Sequence, residues 1–208
     1  MKTINLLLTL ILLIFISPNL QSQDCGTIPT QQQIDYLIQT RTARQSWSQS
    51  ESITSLPIQH HIVRESNGTG GLNPSDITLI MNTLNTYYAN SNIGFYECAT
   101  VNYIDNSTYY DFNQSQEAAI RAANDVTDVI NIYYFNSITM NSGNGAAGYS
   151  SFPPGPDRIM MDYNYATNGS TMVHEAGHYF HLPHTHGNSN TTTTTELVNG
   201  TNCRTAGD

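Results

Sequence analysis

Five of the chain's seven histidines, His174, His178, His181, His184 and His186, fall within thirteen positions of one segment, STMVHEAGHYFHLPHTHG at 170–187. Such a density of imidazoles is a metal-binding composition. Within it HEAGH reads H-E-x-x-H. On a helix His174 and His178 are four apart and project from nearly the same face, where two imidazoles can grip one zinc ion. Glu175 lies about 100° further round, beside the metal without binding it, which is the place for a general base. Two imidazoles leave a catalytic zinc one protein ligand short, because three ligands and an open position are the usual arrangement. His184 lies six residues after His178 and is out of reach of a continuing helix, but Pro183 suits a helix that has already ended, and a turn would bring His184 round.

These ligands need a helix with a packed back. Val173, Ala176, Gly177 and Phe180 follow the i, i+3, i+4, i+7 pattern and form an apolar stripe rotated away from the histidines. Ser170 or Thr171 is placed to cap the start. Upstream, 30–47 carries Ile34, Leu37 and Ile38 at helical spacing, and NPSDITLIMNTLNTYYANS reads as a helix with the stripe Ile77, Ile80, Met81, Leu84 and Tyr88, capped by Asn73 or Ser75. SQEAAIRAAN reads as a further helix. SLPIQHHIVRE, IGFYEC, TVNYID and DVINIYYF read as strands, followed by a Gly- and Pro-rich stretch, DRIMMDY and the histidine segment. His60 and His61 are read as ordinary strand residues. Strands interleaved with helices predict an α/β or α+β layer domain with a mixed sheet.

The whole chain sets the setting. Its 208 residues suit one domain, and its formal charge of −9 with no basic cluster argues against nucleic acid or an anionic membrane as partner. Residues 1–22 have the anatomy of a secretory signal peptide: Lys2, an apolar run from Leu6 to Ile16 broken only by Thr9, then a small and polar stretch. At about eleven residues the run is shorter than the roughly 20 of a spanning helix. The mature chain is therefore expected to be secreted, with no membrane contact after signal cleavage, and disulfides become permissible. Cys25, Cys98 and Cys203 are an odd number; one thiol lacks an internal partner, and Cys25 with Cys98 is the pairing expected for the others.

HEAGHYFHLPH is similar to H-E-x-x-H-x-x-G-x-x-H, the long zinc motif of the metzincin metalloproteases, departing from it at His181 where that family usually has glycine. The flanks, TMVHEAGH, HT after the third histidine and LVNGTNC...AGD, resemble the pappalysin family of that clan, including its bacterial cytophagalysin-like members. A less specific resemblance runs from about Leu56 to the end through LPIQHHIVR, IGFYEC and AAGYSSFP. It implies a zincin-like catalytic domain over 55–208, with a twisted mixed sheet, a backing helix and an active-site zinc helix, preceded by an N-terminal segment, 23–54, that serves as a short pro-region. It implies one Zn2+ per chain on His174, His178 and His184, with Glu175 as base for hydrolysis of a peptide or protein substrate. No calcium site is supported by this sequence.

His181 costs about 1 kcal/mol where glycine would turn the chain freely, and it would compete as third ligand if the helix ran on. The resemblance also places extended substrate along an edge strand at Ala146, Ala147, Gly148, Tyr149, Ser150 and Ser151, bound through backbone groups so that side chains matter little. Metzincins carry a tight methionine turn below the metal, and this family a tyrosine after it. The 24 residues after His184 contain neither. The resemblance thus implies a truncated chain with an incomplete C-terminal subdomain, a partner for Cys203 in the missing part, and weak or no proteolysis. Two other function classes stay open on the residues alone: an exported zinc-binding module without activity, and an adhesive or structural surface protein suggested by the Asn-, Thr- and Tyr-rich composition.

Overall fold

The segment INIYYF, Ile130–Phe135, is buried at every position, which marks a strand covered on both faces. Its alternate side chains separate two cores. Ile132 and Tyr134 join one apolar cluster, and Tyr133 and Phe135 the other. The structure is a computed structural model and describes residues 25–44 and 52–184. Around this central strand, β5, a six-stranded sheet is built from β1 (Thr54–Arg64), β2 (Ile93–Glu97), β3 (Asn102–Asp105), β7 (Gly148–Ser150) and β8 (Arg158–Asp162). Its order is β2-β1-β5-β8-β7, with β3 also paired to β1. All pairs are parallel except β7 with β8, so the sheet ends on an antiparallel strand.

One face is covered by α2 (Ser75–Tyr88) and α5 (Thr171–Tyr179). Ile77, Ile80 and Leu84 from α2 and Met172 and Ala176 from α5 pack on Ile58, Ile62, Ile132, Tyr134, Ile159 and Met161. The stripe read on α2 is therefore its packed face, whereas α5 packs through Met172 and Ala176 with Val173 and Phe180 only partly buried, and the stripe read on the first helix is not buried. The other face is covered by α4 (Glu117–Asn124), through Ile120, and by a small two-stranded sheet of β4 (Asp111–Asn113) and β6 (Ser137–Thr139), through Phe112 and Ile138. Helices lie on both sides of a mixed sheet, the zincin-like α/β arrangement expected.

Local details differ from the sequence expectation. The four-residue α3 (Ser107–Tyr110), β4 and β6 were not anticipated, being too short to show a period. The helix expected from Ser115 starts with a 3-10 turn at Gln114–Gln116, capped by Asn113. Asn73, not Ser75, provides the oxygen near the start of α2, accepting from Ser75 N at 3.1 Å. The first helix, α1 (Gln31–Arg44), is present, and 45–47 lie outside the described residues, as do the expected signal peptide at 1–22, His186 and Cys203. His60 and His61 are buried strand residues. His61 sits between Asn131 Oδ1 at 2.9 Å and Asn102 Nδ2 at 3.0 Å, and stacks on Tyr133.

The Cys25–Cys98 disulfide is not formed. Both are thiols, Cys98 exposed near the β2 end of the sheet and Cys25 beside β7 at the opposite edge. The order of strands separates them, which spacing along the chain cannot reveal.

Candidate metal centre and cleft

Helix α5 carries His174, Glu175 and His178 as the motif required. Its start is held by Asn168, whose Oδ1 accepts from the backbone N of Ser170 at 3.0 Å and of Thr171 at 2.9 Å. Neither Ser170 nor Thr171 caps it, a correction to the sequence expectation: Ser170 makes no capping bond, and Thr171 Oγ1 instead accepts from Asn168 Nδ2. The helix ends at Tyr179. His181 N donates to His178 O and Leu182 N to Gly177 O, the paired bonds of a helix terminus closed by a left-handed residue. That residue is His181, at φ 72°. Histidine therefore makes the turn where glycine is usual, and the helix does not run on.

The turn returns His184 to the helix. His178 Nε2 lies 3.0 Å from His174 Nε2 and 3.1 Å from His184 Nε2, and the third side of the triangle is 3.3 Å. Three mutual contacts between ring nitrogens cannot all be hydrogen bonds, since an Nε2 either bears a proton and donates or bears a lone pair and accepts, never both. For His178 the hydrogen-bond partner assigns the tautomer: Nδ1 is 2.7 Å from Leu182 O and donates to it, so Nε2 turns a lone pair inward. With Zn–N of about 2.0–2.1 Å a tetrahedron has N···N edges of about 3.3–3.4 Å, close to this triangle. The donor set fits zinc. His181 points elsewhere, and the sequence-derived residues brought together are His174, His178 and His184.

A fourth donor comes from the far end of the chain. Cys25 Sγ is 3.3 Å from His178 Nε2, and the four ligand atoms of Cys25, His174, His178 and His184 lie within 4.8 Å of one another. A Zn–S bond of about 2.3 Å predicts N···S edges of about 3.5 Å, so the sulfur also fits a tetrahedral corner. Burial and the nearby Glu175 push the Cys25 thiol above its usual range, and burial pushes His178 down to about 4. Both directions describe the protein's own groups; a dication among them favours thiolate and neutral imidazole.

Glu175 is wholly buried, and that burial raises its carboxyl to about 7, against the opposing pull of Cys25, Thr27 and Arg158. Gly148 makes room for it. A Cβ there would sit 3.1 Å from Glu175 Cγ and 2.8 Å from Met161 Sδ. The Thr27 hydroxyl donates to Glu175 Oε2 at 3.0 Å and accepts from Ser150 N at 2.8 Å, while Gly26 N donates to Gly148 O at 2.9 Å. Residues 25–27 thus lie on the free edge of β7, in parallel orientation at Cys25 and Gly148.

The segment Ala146–Ser151 expected to bind substrate is this edge. Within it Tyr149 is buried in the second core and donates to Glu117 Oε2 at 3.0 Å, while Arg158 Nε also binds Glu117. The backbone of Gly148 and Ser150 faces the cleft, whereas Ala147 O accepts from Asp162 N on the β8 side. Sequence reasoning treated Cys25 only as a disulfide candidate and missed Thr27. The signal for Cys25 was the odd cysteine count; for Thr27 there was none.

No protein-family model matches the chain, and no curated protein does. Among solved structures it is similar to a promirolysin mutant of Tannerella forsythia, with a TM-score of 0.57 and 17% identity, over 80% of this chain and 71% of that one. At that identity the likeness shows the fold, and the fold is a metzincin-like one.

Proposed function

We propose that this protein is a zinc-dependent endopeptidase of the metzincin clan, held closed by its own N-terminal segment. The observation that carries the reading is the triangle of three Nε2 atoms on α5 and its turn, with buried Glu175 next in the same helix. Zinc in this site would lower the pKa of water and polarise a peptide carbonyl. Glu175 serves as the base that takes the water's proton and passes it to the leaving amine; its raised pKa, set by burial, suits both directions of transfer. The Ser150 N–H and Gly148 carbonyl hold extended substrate along β7. His178 is kept in ligand orientation by Leu182 O.

In the closed arrangement Cys25 takes the position that catalysis needs open, and Thr27 occupies both the base and the Ser150 donor. Promirolysin is, as its name says, a proenzyme, which suits a pro-region over 23–54. Secretion rests on the leader at 1–22. No helix among the described residues is long and apolar enough to cross a membrane.

The test is to clear the cleft. The Cys25→Ala chain, loaded with zinc, is expected to hydrolyse an unfolded protein substrate, and to lose that activity with a chelator or with added Glu175→Gln while the latter keeps about one zinc per chain. A second reading has an observation in its favour: four protein donors closing a tetrahedron is the form of structural zinc sites. It expects Cys25→Ala to keep zinc and cleave nothing.

A further inference from the structure

His181, the departure from the glycine of the zinc motif, does more than turn the chain. Its ring is 2% exposed and lies under α1. Nε2 is 3.3 Å from Gln33 O, and the ring stacks on Tyr36 with centroids 5.6 Å apart and planes 26° from parallel. Phe152, two residues beyond β7, packs against His181 at 6.0 Å and against the ligand His178 at 5.1 Å. The Gln33 side-chain amide donates to Phe152 O at 2.8 Å. None of residues 31–40 of this helix is buried. Beside the contact opens a cavity of about 370 Å³, whose walls include Ser151, Pro153, Pro154, Tyr179 and Phe180.

The surface that Tyr36 covers continues the substrate edge of β7 and touches a metal ligand, so a peptide lying along that edge would pass over it. This step rests on the endopeptidase reading. Two rings of differing tilt form a place for a third, and the His181 and Phe152 polar atoms can meet the backbone and amide of the segment bearing it. The charged group in the cavity wall, Asp157, accepts from Tyr179 OH at 2.9 Å. We propose that His181 and Phe152 form a substrate subsite for an aromatic side chain, filled in the closed arrangement by the chain's own Tyr36. A glycine at 181 would turn the chain equally well and supply no ring; the aromatic contact offsets the strain of a left-handed histidine.

Two measurements test this, neither of which reads peptide cleavage. In the zinc-loaded full chain, alkylation of Cys25 by iodoacetamide is followed by mass spectrometry, with exposed Cys98 as internal reference. Tyr36→Ala is expected to speed Cys25 alkylation about tenfold and Tyr36→Phe less than about twofold, the range of an aromatic pair. Equal rates in all three chains overturn the proposal. Next, the subsite is cleared in a chain carrying Glu175→Gln, Cys25→Ala and Tyr36→Ala, and fluorescence anisotropy compares labelled alanine-rich octapeptides with a single Phe at each position in turn. One position is expected to bind about fivefold or more tighter than the all-alanine peptide, and the preference to vanish with added His181→Gly or His181→Asn, both of which tolerate the turn. No preference, no binding at all, or a preference that survives both replacements overturns it. A chain that fails to hydrolyse peptides after Cys25→Ala, by contrast, defeats the endopeptidase reading and leaves these binding results to stand.

Discussion

The carbonyl oxygen of Leu182 lies 2.7 Å from Nδ1 of His178, four residues before it, so the turn made by His181 also fixes the ring of the helix's second cluster histidine. One local bend both delivers His184 and orients His178.

The ligand set follows from that bend. His184→Ala is expected to weaken zinc binding by about 100-fold or more, while His181→Gly, which keeps the turn, should change it by less than about tenfold, as befits a group outside the metal's own ligands. Competition with a chelating dye measures both. The reverse order would falsify the assignment of His184.

Thr27 is expected to matter to closure and not to the stability of the domain. Thr27→Val keeps the shape and removes the hydroxyl that serves both Ser150 N and Glu175 Oε2. Leaving such buried groups without their partner costs about 1–3 kcal/mol. Cys25 should become alkylated at least about fivefold faster in the zinc-loaded chain, with little change in the main thermal transition. An unchanged alkylation rate would show that Thr27 is not a fastening.

For the edge strand the decisive backbone is that of Ser150. Its N–H points into the cleft, so Ser150→Pro removes a cleft donor and leaves the Tyr149 core contact in place. In the Cys25→Ala, Glu175→Gln chain it should weaken peptide binding about tenfold or more at undiminished zinc content. Binding that is unaltered would place substrate on another edge.

Acid should destabilise the fold through His60. Burial, followed by repulsion from His61, lowers His60 to about 4 from 6.5. The unfolded chain then binds the extra proton first, so the contribution is fully present above about pH 6.5 and is lost as pH falls toward 4. At the limit it amounts to about 3 kcal/mol. Urea unfolding of chelator-treated protein at pH 7 and pH 4.5 should show the loss, and His60→Gln should reduce the difference. A slope identical in both chains would assign the acid sensitivity to other groups.

Helix α5 was legible in the sequence because its chemistry is local. Four residues bring two imidazoles to one helical face whatever surrounds them, and the glutamate's angle follows from the same geometry. The central strands were legible for a similar reason: INIYYF has too little polarity to lie anywhere but between two covered faces. The stripe of α2 likewise announced which side would pack. At His181 the sequence posed a choice between a turn and a longer helix, and the low penalty of histidine in the left-handed region left both open.

Only the tertiary structure decided what meets the histidine cluster from outside the helix. Cys25 and His178 are 153 positions apart and adjoin because β7 is the sheet's last strand, with a free edge on which residues 25–27 can lie. The same edge determines that Ser150, not Tyr149, offers its N–H to the cleft. Asn168 as the helix cap and Tyr36 on His181 belong with these. Pattern along a chain reports which face of an element is apolar. Which elements then become neighbours depends on sheet order and chain closure, and thus on the summed packing of the whole fold.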